Sequence, residues 1–387
     1  MLKQQLFVRI LFLALPLLVA SAEAEEAGKS TSVASSSLSN QAAAAQLELA
    51  LQSLESADVL GSIVSYTLPG RDPVTATHGF VDIQQTVAMD ASRLFQIGSQ
   101  TKMFTAAAIL LLQRDGQLNL DDLVSKYVSG VARPADLTIR QLLTHTGGIG
   151  DSITFFDPPA GRRPDFDVSF DNHLFLGRVA GEEFAPGSDW NYNNLGFVVL
   201  GRVIESASGL SLEAYTRKNI LDPLGMTETF LGNLESYPES RMARGYFSQD
   251  GETVDTTMPN LTWASSAGDV VSGMDDMHKW ALMLLNADNP LGLSLADFAV
   301  DPIDVSDFGG LARYGLGMME RRVAGQKLWG HGGFIHGYVT LTLVEPESGI
   351  ILQLMTSLKD DSEDIIAALE TVAAIALNLA QYEAHAQ

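Results

Sequence analysis

The sequence predicts an α+β protein in which one sheet is assembled from both ends of the chain and a helical part is inserted between them. Three observations predict it. Strand patterns rich in β-branched and aromatic residues occur early, at 61–68 (GSIVSYTL) and 74–83 (VTATHGFVDI), and then only late, at 327–329, 337–344 and 349–356. Between the two sets, apolar residues recur mainly at helical spacing. Leucine- and alanine-rich helical runs stand near both ends, at 41–56 and 361–382.

Taken in order, residues 1–24 carry Lys3 and Arg9 around a Leu/Phe/Val-rich stretch that ends in small residues, the pattern of a cleavable secretory leader. Its apolar part is too short, and too interrupted by Arg9 and Pro16, to remain as a spanning helix. Residues 25–40 are rich in Ser, Ala and Thr without an apolar period and read as a flexible linker. The two early strands flank Pro69-Gly70-Arg71-Asp72-Pro73, a turn sequence. Residues 103–113 (MFTAAAILLLQ) and 195–204 read as helices. Glu345-Pro346-Glu347-Ser348-Gly349 is a hairpin turn between the last two strands. The expected domain runs from 41 to 380, with its sheet part at about 41–95 and 260–380 and its helical part at about 96–259.

Composition narrows the function. The formal net charge is −23, with 47 acidic against 24 basic residues, so the surface repels phosphate backbones and nucleic acid is not an expected partner. There is no cysteine, which excludes disulfides and thiolate metal sites and is compatible with an oxidising compartment. The histidines lack metal-ligand spacing, and the glycine-rich pieces lack the strand-turn-helix setting of a phosphate loop. No metal and no cofactor is expected. The expected partner is a small-molecule or peptide substrate, with no stable membrane span once the leader is removed.

The chemistry is carried by Ser99-Gln100-Thr101-Lys102. Gly98 precedes the serine and the 103–113 helix follows, so Ser99 and Lys102 fall on one face of a first helical turn. A serine hydroxyl is a weak nucleophile at neutral pH and needs a base beside it, which a desolvated lysine can supply. Unpaired N–H groups at the helix start favour a developing oxyanion. Two further groups follow in the chain. Tyr192-Asn193-Asn194 lies between a polar turn segment and a helical run, and Trp329-Gly330-His331-Gly332-Gly333 opens a strand-like stretch.

Ser99/Lys102, Tyr192/Asn194 and His331/Gly333 together resemble the Ser-x-x-Lys, Tyr-x-Asn and Lys/His-x-Gly signature of the serine penicillin-recognising hydrolases. These comprise class C β-lactamases, D-alanyl-D-alanine carboxypeptidases and related esterases. LFQIG before the serine, LNLDD at 118–122, TIRQLLTHTGGI at 138–149, Pro186-Gly187 and Tyr314-Gly315-Leu316-Gly317 are similar to that family too. The resemblance covers about 42–380. It implies a β-lactamase/transpeptidase-like fold: an antiparallel sheet flanked by N- and C-terminal helices, with an inserted all-helical domain and the site at the junction.

The resemblance also implies roles. Ser99 attacks a carbonyl to form an acyl-enzyme, and Lys102 and Tyr192 share the proton work, with the choice of base left open. Asn194 holds substrate amide or the Lys102 amine, His331 takes the place of a lysine, and Gly333 lets substrate lie against the strand. The oxyanion is received by the backbone N–H groups of Ser99 and Phe334. His145, within the LLTHTGG segment, is expected to fix a loop. The implied function is that of a secreted or periplasmic serine hydrolase acting on D-alanyl peptides, with weak β-lactamase activity; an esterase on short acyl esters and a non-catalytic β-lactam-binding protein are the alternatives.

Two departures bear on substrate. Gly332 lacks the hydroxyl a threonine would offer to a substrate carboxylate, and Phe334 sets a large side chain beside the oxyanion position. Arg321 and Arg322, on the strand leading to His331, are candidate cationic anchors, and residues 150–170 are a candidate lid.

Overall fold

Both ends of the chain contribute to one sheet. The computed structural model describes residues 40–385 except 57, 134, 154–166, 250–251, 259, 306–310 and 361–363. The expected leader, nearly all of the expected linker and most of the candidate lid lie outside the described residues.

The early strands are β1 (Val59–Thr67), β2 (Val74–Gly79) and β3 (Leu94–Gln96). The middle of the chain adds β4 (Phe230–Leu231), β5 (Tyr246–Gln249), β6 (Glu252–Asp255) and β7 (Val270–Gly273). The late strands are β8 (Ile303–Asp304), β9 (Leu311–Tyr314), β10 (Met319–Val323), β11 (Gln326–Ile335), β12 (Tyr338–Glu345) and β13 (Ile350–Leu358). Eight of them form one sheet in the order β2-β1-β13-β12-β11-β10-β9-β8. Its pairs are antiparallel, and β1 joins β13 with Ile63 opposite Met355.

Both faces of the sheet are covered, which is why β1 and β13 are buried along their whole length and read as continuous apolar runs. On one face lie the helix Asn40–Gln52 and the C-terminal helix Asp364–His385, packing Leu47, Leu51, Leu369 and Leu377 against Val64, Leu352 and Leu354. The C-terminal helix is long and apolar enough to cross a bilayer by composition, yet its apolar side covers the sheet. On the other face lies the helical part, centred on the helices Thr101–Arg114 and Asn194–Ser208.

Two small β elements are set into or beside that helical part: the β5-β6 hairpin and the three-stranded β3-β7-β4 sheet. They are too short to leave a periodic signal. The strand expected at 327–329, with the strand-like stretch opened by WGHGG, is one strand running to Ile335, its glycines pressed against neighbouring backbone.

Candidate active site

The buried apolar strand β3 delivers the chain into a tight 3-10 turn, Gly98–Gln100, and the α-helix Thr101–Arg114 follows at once. Ser99 therefore sits in the 3-10 turn rather than in the α-helix itself. Gly98 is required there: its φ is +52°, and a Cβ would stand 2.9 Å from the carbonyl oxygen of Phe334. The turn is locked from the other side by β7, where Ile97 N–H donates to Val270 O at 2.9 Å and Val270 N–H donates to Thr101 Oγ1 at 3.1 Å.

Lys102 is fully buried, and its Nζ reaches three oxygens: Ser99 Oγ at 3.2 Å, Asn194 Oδ1 at 2.8 Å and Ala267 O at 2.8 Å. Burial brings its pKa down to about 7, against an upward pull from Asp151. The positive end of its own helix acts in the same direction as burial. A neutral amine has two N–H groups and one lone pair. Two of its three neighbours are carbonyl oxygens, which only accept, so they take both N–H groups and leave the lone pair for the Ser99 O–H. The same three contacts thus fix where the neutral amine would point its lone pair.

Asn194 is held for this task by Asp151, whose Oδ2 accepts from the Asn194 backbone N–H at 3.1 Å and from its side-chain Nδ2 at 3.0 Å. Asp151 Oδ1 accepts from Leu195 N–H at 3.2 Å, so the same carboxylate caps the helix that carries Asn194. Asn193 completes the cap by accepting Gly196 N–H at 2.7 Å. Asp151 was not among the residues singled out from sequence, because a lone aspartate after GIG carries no spacing signal.

Tyr192 is buried beside Ser99, and its ring lies 4.8 Å from Lys102 Nζ. Burial raises its pKa far above the usual phenol value, so the phenol is protonated; an ammonium pull towards phenolate does not prevail here. The Tyr192 ring lies tilted against His145, centroids 4.3 Å apart, and 6.3 Å from His331. His145 pins the Tyr192 segment at two points, accepting Asn191 N–H at its carbonyl and Asn193 N–H at Nδ1, each at 3.1 Å.

His331 is buried with Nδ1 2.5 Å from the Gly332 carbonyl oxygen and Nε2 3.1 Å from the Tyr314 hydroxyl. A carbonyl only accepts, so Nδ1 carries the proton and Nε2 accepts the Tyr314 O–H. Burial, reinforced by Lys102, brings the His331 pKa down to about 3. The ring is a neutral group at physiological pH, unlike the lysine it stands in for.

The cleft in front of Ser99 is bounded by Asn194, Gly268, Trp263, Ile153, Phe334 and Ile335. Gly333 makes the strand's approach possible, since a Cβ there would fall 1.8 Å from Ile97 O. Phe334 borders the cleft but its side chain belongs to the core cluster under the C-terminal helix, so it does not fill the site. Arg321 is turned away as well: it donates to Glu370 Oε1 at 2.8 Å on the C-terminal helix. Arg322 is exposed on the β10-β11 hairpin. Neither arginine lines the cleft. Among the described residues no group of three His, Asp or Glu is placed to hold a metal.

The geometry thus brings Ser99, Lys102, Tyr192, Asn194 and His331 around one buried point, with Gly333 and Phe334 on the adjoining strand. Comparison with known proteins gives the family and the fold. Protein flp of Staphylococcus aureus is 28% identical over 240 residues, 60% of this chain but 47% of that protein, so the chain spans about half the length of this relative. A Bacillus subtilis penicillin-binding protein is 25% identical over 309 residues, covering 74% of this chain and 65% of its own length. Among solved structures, a D-amino acid amidase from Ochrobactrum anthropi, complexed with L-phenylalanine amide, superposes with a TM-score of 0.77 at 25% identity. The match covers 87% of this chain and 99% of the amidase. The Beta-lactamase family model matches residues 48–376, which take in the nucleophile turn, the tyrosine triplet and β11, and the chain belongs to that family.

Proposed function

We propose that this serine hydrolase cleaves amide bonds beside D-configured amino-acid residues, in D-alanyl peptides or D-amino acid amides, through an acyl-enzyme on Ser99. The observation that carries the reading is the buried Lys102 amine, its pKa brought down to about 7 and its Nζ 3.2 Å from Ser99 Oγ between two carbonyl oxygens. Lys102 takes the Ser99 proton as Oγ attacks the carbonyl carbon, and the oxyanion is received by the N–H groups of Ser99 and Phe334. The C–N bond then breaks as the Tyr192 phenol gives its proton to the departing nitrogen, and the Lys102 ammonium reprotonates Tyr192. Water then gives a proton to the neutral Lys102 amine as its oxygen attacks the acyl carbon. The bond to Ser99 Oγ breaks as the ammonium returns that proton to Oγ and the acid leaves. An amine leaves only when protonated, so a buried phenol that keeps its proton suits an amide substrate. The likeness to a D-amino acid amidase supports the D configuration.

A short acyl ester is the second reading, favoured by a cleft whose described lining is neutral and offers no cation to a substrate carboxylate. We also propose that residues 1–24 direct export of the chain to the periplasm or beyond and are then removed, which N-terminal sequencing of the secreted protein tests. For the substrate, kcat/KM is measured on a D-Ala-D-Ala peptide, a D-amino acid amide, p-nitrophenyl butyrate and nitrocefin, with Ser99→Ala as control. A preference for the amide or peptide of about a hundredfold, roughly 2.7 kcal/mol, supports the proposal. The reverse preference selects the esterase. No turnover of any of the four overturns the catalytic reading.

A further inference from the structure

A second cavity, of about 150 Å³, lies on the opposite side of β11, between β10–β12 and the C-terminal helix. Alternation along β11 separates it from the cleft. A Cβ at Gly333 would point at the Ser99 turn, whereas one at Gly332 would stand 3.7 Å from Leu341 and 3.9 Å from Arg321 Nη1. The walls are apolar, with Val339, Leu343, Leu354, Ile366 and Leu369 among them, and the space opens at one side, with room for a short apolar chain. Its rim is polar and cationic: Arg321, 12% exposed, is paired with Glu370, and Arg322 stands beside them. Two arginines to one glutamate is the reverse of the balance of the chain, which has 24 basic and 47 acidic residues.

We propose that this cavity binds a monocarboxylate with an unbranched apolar tail of roughly six to eight carbons. The tail fills the space under Leu341 and Leu343, and the carboxylate takes the Arg321 N–H groups on the Gly332 side, away from the one engaged by Glu370. Phe334 lines both this cavity and the catalytic cleft, and its main chain lies against Gly98 in the turn that carries Ser99, so an occupant presses on that turn. Occupancy therefore changes kcat rather than KM.

The probe is sodium octanoate below its micellar concentration, with octanol as the same tail without a charge and acetate as the same charge without a tail. Binding is measured by calorimetry on full-length Ser99→Ala protein, and turnover is measured on wild type with the best substrate of the panel above. Octanoate binds saturably, at least about tenfold more tightly than octanol, and acetate does not bind. It changes kcat with KM constant, and Arg321→Gln reduces its binding to the level of octanol. Equal affinity for octanoate and octanol, an effect confined to KM, or the absence of saturable binding overturns the proposal. The first comparison uses no cavity variant, so a misfolded Arg321→Gln protein does not decide the outcome.

Discussion

Asp151 Oδ2 accepts the side-chain N–H of Asn194 at 3.0 Å, and that bond decides which end of the amide Lys102 meets. With its nitrogen held, Asn194 presents only its oxygen to the amine. Asp151 also pulls the Lys102 pKa upward. Asp151→Asn therefore lowers kcat/KM by about tenfold, the scale of one lost charge-assisted hydrogen bond. It also moves the rising limb of the pH–rate profile to lower pH, because removing the negative charge favours the neutral amine. A limb that moves to higher pH contradicts this account of the pair.

The Lys102 amine is a stability term as well as a base. Its pKa of about 7 in the fold lies below the ordinary value of 10.5, so between those limits the unfolded chain holds a proton that the folded chain has released. Stability owed to this group rises with pH across that window, by at most about 1.4 kcal/mol per unit, and the penalty is present in full below it. The unfolding free energy of wild type minus that of Lys102→Met, measured by urea titration, rises from pH 7 to 10. A flat difference shows that the amine is not depressed.

His331 and His145 are both held neutral, the first down to about 3 and the second well below 6.5, by burial with Lys102 nearby. Their ring nitrogens in 15N NMR spectra show no titration between about pH 5.5 and 8, and His331 shows its proton on Nδ1. A midpoint near 6.5 for His331 means that the ring is solvated and its bond to Tyr314 absent.

Gly333→Ala places a methyl group where Ile97 O now lies, 1.8 Å from the new carbon. Backbone must shift, at a cost of about 1–3 kcal/mol, and the shift falls on the turn that carries Ser99. We expect a lower melting temperature and a loss of kcat of at least about a hundredfold. Activity near wild type removes β11 from contact with the nucleophile turn.

Much of this arrangement is legible in the sequence. Ser99 and Lys102 announce themselves by spacing, because three residues separate groups on one helical face, and the apolar run after them marks that helix. The antiparallel sheet with its flanking helices follows from strand patterns at both ends and from the family resemblance. Asp151 and the Ala267 carbonyl were not legible: one is a solitary carboxylate and the other a main-chain atom, and both reach Lys102 or its partner through contacts between distant parts of the chain. The protonation of Tyr192 and His331 was hidden for a related reason, since burial sets it and no neighbour in sequence reports burial. Arg321 and Phe334 were placed at the site because they precede and follow His331, but strand alternation and the pair with Glu370 turn both side chains to the other face.

The proposed catalysis rests on an amine that loses its proton near pH 7 and is placed to take the Ser99 proton. The most direct test is the rate at which a fluorophosphonate modifies the protein across pH, with the modified residue located by peptide mass spectrometry. Modification falls on Ser99, its rate rises sigmoidally with a midpoint near 7, and Lys102→Ala slows it by at least about a hundredfold. A rate that is flat with pH, or one that Lys102→Ala leaves unchanged, contradicts the assignment of Lys102 as the base.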